Sequence, residues 1–186
     1  MSVSVLPNAS GTNSWIADHD TAGPALAADM ATVSSALDEV LAAELLGAQI
    51  AMGCTVEDLL LAALGRTVAR TIGEGMLTVD VASPPGPGGR LVGVPCVARR
   101  GLSGAELLAA ARRGAGGVRA AADVGFGYGE CADAGASAHP LVLRVHRDTE
   151  TTMRLHWQFD TRGFDPCTVE ELAEQFPLAL IEVTSG

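Results

Sequence analysis

Leu141–Phe176 reads LVLRVHRDTETTMRLHWQFDTRGFDPCTVEELAEQF, and this stretch decides the fold. LVLRVHR and TMRLHWQF each alternate apolar and polar residues, the period of a half-buried strand. DTET joins them as a short turn, so the pair reads as an antiparallel hairpin. Thr168 then opens a closing helix, TVEELAEQF, whose early Glu170 and Glu171 suit the positive end of the helix dipole. Pro177 is expected to kink or end it.

Outward from this hairpin the chain keeps switching between the two periods. ATVSSAL at Ala31–Leu37 alternates as a short strand, and Asp38 caps a helix that runs to Gly53. Thr55 with Asp58 three residues on forms a capping box. Behind it Leu61, Leu64, Val68 and Ile72 recur at helical spacing until Gly73. The first half of this helix, LLLAAL, is apolar nearly all round and is expected to be buried. MLTVDVA at Met76–Ala82 reads as a strand with Leu77, Val79 and Val81 on one face. LVGVPCVAR should extend too, with Pro95 confining it to an edge or a bulge. Ser103 caps GAELLAAARRG. These elements predict an α/β (α+β) fold, a mixed sheet with helices packed on it. Residues 1–28 read as a linker or lead-in that packs through Trp15 and Ile16, and residues 29–186 as the folded lobe.

The stretch AADVGFGYGECADAG at Ala121–Gly135 interrupts that order. A dinucleotide loop needs G-x-G-x-x-G after a strand and at the head of a helix. Here Gly125, Gly127 and Gly129 follow G-x-G-x-G, no strand is evident before them, and no convincing helix follows. The stretch reads as a tight structural turn, its glycines at positive φ and Phe126 and Tyr128 packed inward.

Composition excludes several function classes. The chain has 186 residues, long enough for one domain with a sizeable core and short for two. Hydrophobic residues make up 48% and charged residues 18%, a folded composition. The formal net charge of −10 opposes nucleic-acid binding, which rests on Lys and Arg neutralising phosphates. The four cysteines, Cys54, Cys96, Cys131 and Cys167, have neither CxxC spacing nor a nearby CxxH. They predict reduced thiols in a cytoplasmic protein, with no zinc site and no disulfide framework. No secretory leader and no membrane span are expected, because no basic start precedes an apolar run and no apolar run is long enough.

Four segments together resemble nonribosomal-peptide condensation and epimerization domains. TVEDLLLAALGRTVARTIGEGMLTVDV is similar to their DxLLAAL helix and following strand, and RLVGVPCVARR to their VGWFTSxYPV segment. GFGYGE is similar to GIGYG, and MRLHWQFDTRGFDPCTVEELAEQF to their closing hairpin and helix. The resemblance runs in order from about Met30 to Val183. It implies a coenzyme-A-acyltransferase-like fold of two lobes, of which this chain resembles the second. A half-domain of this kind also resembles the C-terminal appendage of the terminal subunit of mycobacterial phthiocerol-type polyketide synthases. The resemblance therefore implies a role near chain release in complex-lipid synthesis, with phosphopantetheine on a neighbouring carrier domain and no cofactor in this one. The implied partners are an acyl carrier domain or a release enzyme, and a homodimer is expected because a lone lobe exposes the apolar face its missing partner covers.

The family's HHxxxDG signature belongs to the first lobe. Its nearest string here, ADHDTAG, has Asp18 at the first histidine and Gly23 at the aspartate, so no catalytic residue carries over. The EGHGRE-type element is missing after Asp80, and LRVHRDT stands in place of NYLGQ. The chain is thus read as non-catalytic on its own, part of a multidomain acyl-chain-building synthase. Its alternative is half of an acyl or peptidyl transfer site completed by a separate HHxxxDG-bearing lobe.

The candidate binding residues lie on the hairpin. Alternation puts Arg144 and His146 on one strand face and Arg154 and His156 on the other strand's matching face. Pairing of 146 with 154 and of 144 with 156 would gather them into one cationic patch, able to recruit an acidic carrier or a phosphate. The competing reading is a solvated face whose arginines pair with acids such as Asp148. A one-residue slip in register would scatter the patch. Asp80 is read as lining a tunnel, or else as facing water or capping a neighbouring backbone group. Ser103 is spent as a cap, GLSGAE is no nucleophile elbow, and buried Cys54 and Cys96 are expected to be inert.

Overall fold

A computed structural model describes residues 14–82, 90–99, 102–113, 121–129, 139–149 and 151–185. The hairpin is the centre of the sheet. β5 (Leu141–Arg147) and β6 (Met153–Asp160) pair antiparallel from Leu141↔Phe159 to Arg147↔Met153. β1 (Met30–Leu37) adds to the far side of β6, also antiparallel. On the other side lie β4 (Val124–Tyr128), then β2 (Gly75–Val81), then β3 (Arg90–Cys96) at the edge, so the order is β1-β6-β5-β4-β2-β3. β4 runs parallel to both neighbours, and β2 and β3 pair antiparallel, which makes the sheet mixed.

Among the described residues four α-helices cover one face: α1 (Glu39–Met52), α2 (Val56–Thr71), α3 (Gly104–Arg113) and α4 (Pro166–Thr184). The alternation seen in the sequence sorts the strands correctly. Leu77, Val79, Val81, Leu143, Val145, Leu155 and Trp157 are buried on the helix side, where Trp157 meets Phe176 edge to face at 5.7 Å. α2 is buried along most of its length, as its all-round apolarity requires. The Thr55–Asp58 capping box forms, with Thr55 Oγ1 accepting from the Asp58 N–H. Gly53 ends α1 in the left-handed region at φ 59°. Pro95 lies in the edge strand, where its missing N–H costs no ladder bond on the open side.

Three expectations change. Gly125, Phe126, Gly127 and Tyr128 belong to strand β4 and not to a turn; of the three glycines only Gly129 has positive φ, at 63°. Parallel pairing on both sides holds this segment extended, whatever the low strand propensity of glycine. Phe126 is buried and Tyr128 packs partly buried against the core, while residues 130–135 of the stretch lie outside the described residues. Next, α4 starts at Pro166, ahead of Thr168, because proline suits the first helical position and Asp18 reaches over to cap it. Asp18 accepts from the Asp165 N–H and the Thr168 hydroxyl, and the earlier start moves Glu170 and Glu171 into the second turn. Last, Pro177 does not end α4, which runs on to Thr184.

The lead-in packs through Trp15 and Ile16. Ile16 enters the core and the Trp15 indole N–H donates to the Met76 carbonyl at 3.1 Å. Ser14 donates to the buried Asp123, whose other carboxylate oxygen accepts from the Thr78 N–H. Residues 14–16 of the lead-in thus pack against the lobe, whereas residues 1–13 lie outside the described residues.

Candidate functional site

The face of β5 and β6 turned away from the helices carries the polar half of each alternation. The register sets Arg144 opposite His156 and His146 opposite Arg154, so the four side chains form one cluster. The His146 and His156 rings meet edge to face at 5.4 Å. His156 Nδ1 and the Ser34 hydroxyl of β1 are hydrogen-bonded at 2.9 Å. Arg144 donates to Gln158 Oε1 at 2.6 Å, a neutral partner that does not itself offset the guanidinium charge. Arg154 pairs with Asp148 at 2.6 Å, so the solvated-pair reading holds for this arginine. Arg144 is half-buried within the cluster.

A second polar pair lies on the same side of the sheet, over β2 and β4. Asp80 neither stands alone nor caps the backbone; its Oδ2 lies 3.0 Å from His139 Nε2. The His139 ring passes over Gly125, where a Cβ would lie 2.7 Å from His139 Cδ2. His139 and Asp123 escaped the sequence reading. His139 precedes its strand in a stretch without periodicity, and Asp123 sits beside the misread glycines.

The remaining candidates have structural uses. Ser103 Oγ accepts from the Glu106 N–H, and the Glu106 carboxylate accepts from the Ser103 N–H, a reciprocal cap. The Ser103 N–H and hydroxyl hold the Glu106 carboxyl below its usual range. Burial pushes the Cys96 thiol up to about 12, which removes it as a nucleophile near neutrality. Cys54 is buried and Cys167 exposed, and Cys131 lies outside the described residues. Among the described residues, no group of three or more His, Cys, Asp or Glu side chains is placed to hold a metal ion. No single helix among them is long and apolar enough to cross a membrane.

No protein-family model matches the chain. Over 94% of its length the chain is 27% identical to a phenolphthiocerol/phthiocerol polyketide synthase subunit of Mycobacterium tuberculosis and of Mycobacterium bovis, of which it spans only 16%. Its fold matches the epimerization domain from the third module of tyrocidine synthetase B with a TM-score of 0.68 at 14% identity. The match covers 99% of this chain and 52% of that one. The X-domain from teicoplanin biosynthesis, solved in complex with OxyB, matches with a TM-score of 0.67 at 16% identity, over 97% of this chain and 49% of that one. The condensation domain of the monacolin K polyketide synthase MokA matches at 0.62 and 13% identity, over 98% of this chain and 50% of that one. The chain spans about half of each of these solved chains, and with its six-stranded mixed sheet and four helices it has the fold of one lobe of a condensation or epimerization domain.

Proposed function

We propose that this chain is a condensation-like lobe of a lipid-making polyketide synthase and that it works by docking, not by catalysis. Its partner on the open sheet face is an acyl carrier domain or a release enzyme with an acidic surface. The observation that carries this reading is the pairing of Arg144 with His156 and of His146 with Arg154, which gathers a cationic cluster on a chain of net charge −10. A local patch of opposite sign steers an acidic partner to one place and orients it there. Two comparisons support the reading: the similarity to the mycobacterial phthiocerol synthase over most of this chain, and an X-domain of the same fold solved with a second protein bound.

The test is a titration of an isotope-labelled acyl carrier domain with this chain, followed by NMR. The reading expects saturable shifts that weaken with added salt and an affinity reduced about tenfold by Arg144→Ala. Equal binding by Arg144→Ala, or no shifts from the carrier and no binding of the release enzyme, would remove the proposal.

A further inference from the structure

The sheet has two edges, and they are built differently. β3 begins with Arg90, paired to Glu57, and carries Pro95, which has no N–H to offer. A charge and a proline are devices by which natural sheets keep an edge from recruiting another strand. β1 has neither. It is MATVSSAL, eight residues without a charge, proline or glycine. Its register with β6 runs without a bulge from Met30↔Asp160 to Leu37↔Met153. Its outer side has no strand partner among the described residues, so alternate backbone N–H and C=O groups face outward.

We propose that β1 is the seam of a homodimer, in which β1 of one copy pairs antiparallel with β1 of a second and joins two six-stranded sheets into one. The second copy fits because a strand paired antiparallel with itself about a two-fold axis is self-complementary. The faces agree as well. Ala31 and Val33 pack toward the core, whereas Thr32, Ser34 and Ala36 are exposed on the opposite face. A two-fold axis perpendicular to the sheet through Val33 or Ser34 sets odd residues opposite odd and even opposite even, so the apolar and polar faces both continue across the seam. No like charges meet along it, despite the net charge of the chain.

The seam does not need the docking proposal and goes beyond it, but it has a consequence for it. The same axis brings the open faces of both copies to one side. The two β6 strands then lie three strand spacings apart, about 14 Å. Two clusters of Arg144, His146, Arg154 and His156 share one surface, an arrangement that favours a bivalent or two-fold partner.

Sedimentation of this chain across a concentration series tests the seam. The proposal expects a reversible dimer whose dissociation constant rises about tenfold or more in Thr32→Lys. Leu91→Lys on the opposite edge should leave the dimer unchanged. Amide hydrogen exchange supplies a second readout that needs no variant: the outward amides of β1 should lose protection on dilution. A monomer at all concentrations, or a dimer indifferent to Thr32→Lys, overturns the proposal. Outward β1 amides that stay protected in a monomer overturn it equally.

Discussion

His139 Nε2 donates to Asp80 Oδ2 at 3.0 Å, and it reaches that carboxylate only because position 125 of the strand between them has no side chain. A Cβ there would also lie 3.3 Å from Val142 Cγ2. Gly125→Ala should therefore push the imidazole off Asp80 and destabilise the lobe by about 1–3 kcal/mol, the usual cost of overpacking. Removing the imidazole should make the added methyl tolerable, so the loss from Gly125→Ala should shrink in a His139→Ala background. A double-mutant cycle by chemical denaturation measures the coupling; additive effects would show that the ring does not depend on the glycine.

Position 125 also marks where the sequence stops being legible. Glycine is depleted in strands and enriched in turns, so local preference alone reads VGFGY as a turn. Its extended form is imposed by β2 and β5 on either side and by a histidine that needs the vacant Cβ, and these neighbours are distant in sequence. The hairpin is legible for the opposite reason. Strict alternation through LVLRVHR and TMRLHWQF puts Leu143, Val145, Leu155 and Trp157 on the buried face, and the same alternation gathers the cationic cluster on the other face. Pro166 at the start of α4 is a readable signal that Thr168 obscures.

Acid should loosen the packing of α2 on α4. Arg66, buried in α2, donates to Glu182 and to the carbonyls of Val97 and Arg99, and Arg70 donates to the same glutamate. Burial opposes ionisation of Glu182, but the hydrogen bonds from Arg70 and Arg66 outweigh it and hold its carboxyl below the ordinary value of 4.5. A carboxyl depressed in the folded state contributes stability above its unfolded pKa, and that stability is lost as pH falls through the folded one. Stability should thus decline from about pH 4.5 downward. Asp160, held below 3.8 by its hydrogen bonds from Arg162, extends the decline to lower pH. Glu182→Gln should cost about 2 kcal/mol near neutrality by weakening a charged hydrogen bond, and it should flatten the first part of the acid limb. Denaturation midpoints across the acid range decide this, and an unchanged limb would dissociate Glu182 from it.

The thiols should separate by burial. Cys167 is exposed, whereas Cys54 and Cys96 are buried and the Cys96 thiol is raised to about 12 by burial. In the native chain at mildly alkaline pH, Cys167 should label with a thiol reagent, and Cys54 and Cys96 should label only after unfolding. Peptide mapping of the labelled protein reads each site. Prompt native labelling of Cys96 would mean that α2 and β3 open far more often than their packing allows.

The cationic cluster offers a way to separate binding from stability. Arg154 and Asp148 form an ion pair with both side chains about half exposed, and such pairs contribute little to folding. Arg154→Ala should leave the unfolding midpoint nearly unchanged while weakening an acidic partner, chiefly through a slower association rate at low salt. Arg144 differs, because its neutral partner Gln158 leaves the guanidinium charge to act on an incoming anion. Arg144→Ala should therefore weaken the partner more than Arg154→Ala does, and the difference should narrow as salt screens the field. Stopped-flow association of a carrier domain at two ionic strengths, alongside thermal unfolding of each variant, supplies the comparison. If Arg154→Ala weakened binding more than Arg144→Ala, the field would be centred on the ion pair instead of on Arg144. If neither altered association, the cluster would be a solvated sheet face and the partner would have to dock elsewhere on the lobe.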